Sequence, residues 1–347
     1  MTDGVSPWAE VLYAIIGLGL VVYAVTGGAD LGAGLLSLFA HGPRKADQER
    51  AVRRAIAPIW EANHVWLIFV IVLLFSGFPQ AFAALGVALH VPIALALVGI
   101  VFRGAAYVFH AYGIQTAEAR AGWARVFGWA SVLTPLALGA VVAGISSGDV
   151  RVSAAGVTTG FLAGWTTPFA LAVGLFALAL FALLAAVYLT AETSGALSDD
   201  FRRLAVVFEL VAGACALATF LLAGRYAPAL FENLRSSAWT WPIQGATAAA
   251  AAGTLGCLAA RAVRLARLTA ALQVTLVMFG WGLALRGHFI LPDVSLATAA
   301  SHPEVLPALV IAVVAGSLVL VPALAYLFWI FKREDDASYT GDHSDRS

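Results

Sequence analysis

Charged side chains are scarce in this chain, at 12% of 347 residues, whereas a soluble domain carries roughly 25%. That deficit excludes an ordinary soluble fold. Cysteine is nearly absent as well. Cys215 and Cys257 both lie inside apolar stretches, where a thiol packs as a small hydrophobe. Two isolated cysteines exclude a disulfide framework and offer no thiolate zinc or iron–sulfur set, which needs more thiols at short spacing. Twenty basic residues balance twenty acidic ones, so bulk charge points to no nucleic-acid partner. The first basic residue is Arg44. The N-terminus therefore lacks the positive leader of a signal peptide, and the first apolar segment is expected to stay in the mature chain.

What the chain has instead is long apolar runs, with 61% of its residues hydrophobic. Hydrocarbon cannot satisfy backbone N–H and C=O groups, so only helices or closed barrels span it. The runs are much longer than the alternating segments of roughly ten residues that barrel strands show, which predicts helices. On the criterion of about 20 apolar residues per crossing, nine segments stand out, near 10–40, 54–75, 81–111, 123–145, 161–191, 203–223, 239–260, 268–290 and 304–331. The longest of them must tilt, kink or leave the membrane. The expectation is an all-α integral membrane protein, one polytopic domain over 1–331 with a solvated, disordered tail over 332–347. Two four-helix bundles plus one peripheral helix accommodate nine spans.

Orientation follows from Arg and Lys, which concentrate in short cytoplasmic loops. Counting alternate loops, fourteen fall on one side, from Arg44 and Lys45 through Arg202, Arg203 and Arg261 to Lys332 and Arg333. Arg151, Arg225, Arg235 and Arg286 fall on the other. This predicts an external N-terminus and a cytoplasmic C-terminus, which requires an odd number of spans.

Ionisable side chains inside membrane helices are costly and so are candidate functional residues. Asp30 lies in Thr26-Gly27-Gly28-Ala29-Asp30-Leu31-Gly32-Ala33-Gly34, and Glu61 in Pro58-Ile59-Trp60-Glu61-Ala62-Asn63-His64-Val65-Trp66. Both are expected about 10–15 Å inside the cytoplasmic face, on antiparallel neighbours joined by a short loop. The glycines around Asp30 permit close helix approach. Glu61 has two readings: a group that accepts and releases protons, or an acid that pairs with Arg53 or Arg54 to fix its helix.

His64 follows Glu61 by three residues, half of a di-iron carboxylate pattern whose second copy the chain does not contain. It is read as a hydrogen-bonding residue. His90, His110 and His288 form no repeated pair that would clamp two haems. Arg103 either snorkels or joins a polar pocket or subunit interface with Trp60, Asn63, His64 and Trp66. Glu209, six residues past Arg203, is read as snorkelling too.

The glycine- and aspartate-rich stretch around Asp30 resembles the end of the first helix in subunit II of cytochrome bd-type quinol oxidases. Ile56-Ala57-Pro58-Ile59-Trp60-Glu61-Ala62-Asn63-His64-Val65-Trp66-Leu67-Ile68 resembles that family's second-helix pattern of proline, tryptophan, acid, asparagine and tryptophan. Weaker similarity continues through Phe102-Arg103, Thr167-Pro168-Phe169 and Phe279-Gly280-Trp281-Gly282.

The resemblance implies a nine-helix subunit in the bacterial cytoplasmic membrane that stabilises a larger subunit I. The latter would hold the haems of b and d type and the quinol site, this chain binding no cofactor firmly. A small single-helix accessory subunit fits the same picture. The complex would oxidise quinol and reduce O₂ to water, with Asp30 and Glu61 on the proton-uptake side. The family's second-helix acid is usually aspartate. A further acid common three residues ahead of Asp30 is Gly27 here, and His64 replaces a Gln or Glu. Trp66 matches a tryptophan that in some members lines an O₂ entry route. A rival reading is a proton-coupled secondary transporter with a broken helix before Asp30.

Overall fold

The computed structural model describes residues 5–56, 60–114 and 116–341. Thirteen helices follow in order: α1 (Pro7–Leu38), α2 (Lys45–Ile56), α3 (Trp60–Gly77), α4 (Pro79–Ala88), α5 (His90–Tyr112), α6 (Ala117–Ser147), α7 (Pro168–Glu192), α8 (Gly195–Tyr226), α9 (Pro228–Ser236), α10 (Thr240–Ala259), α11 (Val263–Ala284), α12 (Leu296–Ala299) and α13 (Val305–Gly341). Two short antiparallel hairpins complete the set, β1 (Val152–Ser153) with β2 (Gly156–Val157), and β3 (His288–Ile290) with β4 (Val294–Ser295).

The chain is an all-α membrane protein. Six described helices, α1, α5, α6, α7, α8 and α11, are long and apolar enough to cross a bilayer. The residues 63–77 of α3 and helix α4 make a seventh if that bent pair is one span. The apolar part of α13, Val305–Leu320, is shorter, and the helix continues to Gly341 through the charged stretch beginning at Lys332.

Local chemistry sets the breaks. The expected segment 81–111 is two helices. Pro79 opens α4 after Phe78 (φ −139°, ψ 61°), and α3 and α4 meet at a bend of 117°. Leu89 then separates α4 from α5. Pro92 brings no N–H to the first turn of α5, where none is needed. The segment expected from 161 becomes helical only at Pro168, where the Thr167 hydroxyl accepts the Ala170 N–H. At the end of α6, Gly148 adopts φ +81°, a left-handed cap that glycine takes without a Cβ penalty.

Two groups of four helices build the body: α3, α1, α6 and α5, then α8, α7, α11 and α10, with α13 packed on α1 and α3. The groups meet where α1 crosses α7. A Cβ at Gly32 would overlap the Phe181 carbonyl, and one at Gly28 the Phe181 ring. Glycine is what lets these backbones touch, as in other membrane helix pairs. Buried Leu31, Leu36, Leu183, Leu184 and Leu189 fill the space around the crossing.

Ion pairs gather the loops at two ends. At one, Arg44 makes a bidentate pair with Asp200, both bonds 2.7 Å, and Gln48 adds 3.1 Å. There Arg202 reaches Asp199 and the Leu258 carbonyl, Arg261 joins Asp199, and Arg267 meets Glu192. The loops richest in basic residues thus sit together. At the other end, Arg151 holds Asp293, and the Leu291 N–H donates to the Ile145 carbonyl.

Candidate functional site

Asp30 of α1 and Arg103 of α5 are 7% and 1% exposed. Arg103 Nη1 donates to Asp30 Oδ2 at 2.8 Å, and Nη2 donates to Oδ1 and, at 3.0 Å, to the Asp30 backbone carbonyl. Nε donates to Ser131 Oγ of α6 at 3.1 Å, and that hydroxyl donates in turn to the Phe127 carbonyl at 2.8 Å. The Phe127 ring lies 4.8 Å from the guanidinium carbon, within cation–π range. Three helices therefore converge on one cation. The planar five-donor fork explains why arginine stands here: a lysine ammonium carries its three donors on a single nitrogen and cannot match both carboxylate oxygens with parallel bonds while also reaching Ser131.

The snorkelling reading of Arg103 is corrected by this geometry. A snorkelling side chain keeps its charged head in water, whereas this one is enclosed and neutralised in place. Burial of the two charges is tolerable because each oxygen of Asp30 and each nitrogen of the fork has a partner.

Beside the pair, Tyr23 of α1 and His64 of α3 lie with ring centroids 6.1 Å apart. The Tyr23 hydroxyl and His64 Nδ1 are buried without a hydrogen-bond partner among the described residues. Asn63 is buried, and Trp66 meets Phe69 edge to face at 6.2 Å. The backbone of α3 starts at Trp60, so residue 61 occupies its first turn. The side chains of Trp60 and Glu61 lie outside the described residues. Sequence reasoning missed Tyr23, Ser131 and Phe127. For Tyr23 a signal existed, because Tyr23, Gly27, Asp30 and Gly34 recur at helical spacing. The space beside Gly27 is taken by the Tyr23 ring.

The other polar residues are placed differently. His90, His110 and His288 each set Nδ1 against a nearby backbone carbonyl, of Val87, Arg120 and Leu285, at 2.8, 3.1 and 2.9 Å. Among the described residues no group of three or more His, Cys, Asp or Glu side chains comes together as a metal site would require. Glu209 does not snorkel. It is 4% exposed and accepts a hydrogen bond from Gln273 of α11 at 2.9 Å.

Fold and site together define a polytopic α-helical membrane protein organised around a fully enclosed acid–guanidinium pair. The family description of cytochrome bd terminal oxidase subunit II matches residues 8–331, and the chain belongs to that family. Cytochrome bd-I ubiquinol oxidase subunit 2 of Escherichia coli (strain K12) is 29% identical over 219 residues, 61% of this chain and 55% of that protein. The chain thus spans about half the length of that relative. A putative cytochrome bd menaquinol oxidase subunit II of Bacillus subtilis (strain 168) is 23% identical over 343 residues, 95% of this chain and 97% of the relative. A solved chain of the bd oxidase from Geobacillus thermodenitrificans shares the fold, with a TM-score of 0.79 at 24% identity, over 94% of this chain and 99% of that one. The resemblance drawn from the Asp30 and Glu61 motifs holds at the level of the family.

Proposed function

We propose that this chain is the non-haem partner in a quinol oxidase complex. It stabilises a haem-bearing subunit I that carries haems of b and d type, and supplies part of the route by which protons reach the O₂-reducing centre. Membership of the family over residues 8–331 supports the role. Related chains bear the names of ubiquinol and menaquinol oxidase subunits. The fourteen-to-four distribution of Arg and Lys favours an external N-terminus in a cytoplasmic membrane, with the basic end facing the proton source. A single-helix accessory subunit is compatible with the exposed apolar flanks of α5 and α8.

One observation carries the proton-path reading. A charged pair lies deep among apolar helices, flanked by two buried polar atoms, of Tyr23 and His64, with no partner of their own among the described residues. In this reading Glu61 takes and releases the proton, and Asp30, gripped on both oxygens by Arg103, holds a fixed negative charge beside the path. Such a charge favours a cation in transit.

Quinol-dependent O₂ consumption of the complex carrying Glu61→Ala tests the path. Turnover should fall about tenfold or more, as when a positioned proton-transfer group is lost, while the reduced-minus-oxidised haem spectrum keeps its amplitude. Full turnover with normal haem content removes Glu61 from the path. Purification of the native chain alone and without haem absorbance would instead support the transporter reading.

A further inference from the structure

Glu209 of α8 and Gln273 of α11 lie in the helix group that the Asp30 cluster does not reach, and the role proposed above makes no use of them. They are 4% and 5% exposed. Gln273 Nε2 donates to Glu209 Oε1 at 2.9 Å. Two buried oxygens are then left without a donor among the described residues, Glu209 Oε2 and Gln273 Oε1. They belong to the same two side chains that are already joined.

Cations near this end of the group are engaged elsewhere or face outward. On α8, Arg202 binds Asp199 and the Leu258 carbonyl, and Arg203 is exposed. On α11, Arg267 pairs with Glu192 of α7 and covers the Tyr188 ring, while Arg264 is exposed. Arg261, between α10 and α11, joins Asp199. Of the remaining titratable groups on these elements, Tyr188, Cys215 and Cys257 carry no positive charge, Asp200 pairs with Arg44, and Arg225, over the Tyr226 ring, lies at the far end of α8 from Glu209. Around the pair, Ala205, Ala212, Leu258, Ala270 and Val274 form part of one apolar core. An ionised carboxylate would have a single neutral donor there and would leave the Gln273 oxygen orphaned, which is costly for both groups.

We infer that Glu209 carries a proton on Oε2 and shares it with Gln273 Oε1, closing a cyclic acid–amide pair that forms a second buried proton-holding site in this chain. One proton satisfies both orphaned oxygens. Glu209 Oε2–H donates to Gln273 Oε1, Gln273 Nε2–H donates to Glu209 Oε1, and no charge remains to be compensated. The site is separate from the Asp30–Arg103 pair, which neutralises its acid with a cation.

Infrared difference spectra of the full-length chain, with whatever co-purifies, in lipid nanodiscs test this. Glu209→Gln should remove one carbonyl band of an un-ionised carboxylic acid and leave the carboxylate bands unchanged. Loss of carboxylate intensity instead, or no loss of an acid carbonyl, overturns the inference. Thermal unfolding supplies the second measurement. A carboxamide at 209 can rebuild both hydrogen bonds, so Glu209→Gln should keep its midpoint within a degree or two of the native protein, whereas Glu209→Leu should lose several degrees. A Glu209→Gln variant that falls as far as Glu209→Leu, or fails to fold, overturns the cyclic pair.

Discussion

Asp30 and Glu209 are buried to nearly the same degree, 7% and 4% exposed, yet their surroundings answer the cost of a carboxyl in opposite ways. Around Asp30, α5 delivers a guanidinium that donates to each of the acid's two oxygens, and α6 supplies a hydroxyl that holds the guanidinium. Around Glu209 one neutral amide arrives and, among the described residues, no cation follows. The first arrangement preserves a charge inside the helix bundle, and the second is satisfied by a proton. Burial alone therefore does not say what an acid in a membrane helix does; the partner brought from another helix does.

The largest effect should come from removing the cation. Arg103→Leu leaves a carboxylate enclosed without compensation, a loss of about 3–5 kcal/mol, read as collapse of the thermal midpoint and of purified yield. The double variant Asp30→Leu with Arg103→Leu should recover part of that loss, because an apolar pair carries no uncompensated charge. Equal damage in the single and double variants would show that Arg103 matters through packing and not through charge.

Next comes the contact between the two helix groups. Gly32→Ala puts a methyl group into the Phe181 carbonyl, so α1 and α7 must separate. A loss of about 2 kcal/mol or more is expected, in the range of overpacking. A native-like midpoint would mean that the two groups can shift without cost.

Gln273→Leu probes the second acid and should be milder, about 1–2 kcal/mol, since it removes one amide from a pair that carries no charge. If it equals Arg103→Leu in damage, Glu209 is a charged site like Asp30 and the contrast fails.

The smallest effect belongs to the Arg151–Asp293 pair, which joins two loops at the end opposite the basic cluster. The Arg151 guanidinium, hydrogen-bonded to Asp293, holds its carboxyl below the usual carboxylate range. Its contribution is present above the unfolded value of about 4 and is lost as pH falls through the lowered value. The midpoint of the native protein should drop slightly more than that of Asp293→Asn between neutral pH and about pH 3, and identical slopes would remove the pair from the pH dependence.

Much of this was legible from residue order. Helical spans, the grouping of basic loops and the two acid-bearing motifs follow from hydrophobic run length, from the distribution of Arg and Lys, and from the rarity of acids in apolar segments. The bend at Phe78 falls in the gap expected between the segments 54–75 and 81–111. The break at Leu89, inside the expected segment 81–111, escaped because run length does not register a break made at an apolar residue. The chain from Phe161 to Thr167 looks like part of a span by composition and is not helical.

Hydropathy and motif spacing settled which elements form and which acids stand out, because both depend on neighbours along the chain. The pairing of Asp30 with Arg103 and of Glu209 with Gln273, across 73 and 64 residues, was decided by tertiary structure alone. In a linear reading Arg103 and Glu209 lie within snorkelling reach of an interface, and only the packing of other helices against them closes that route to water.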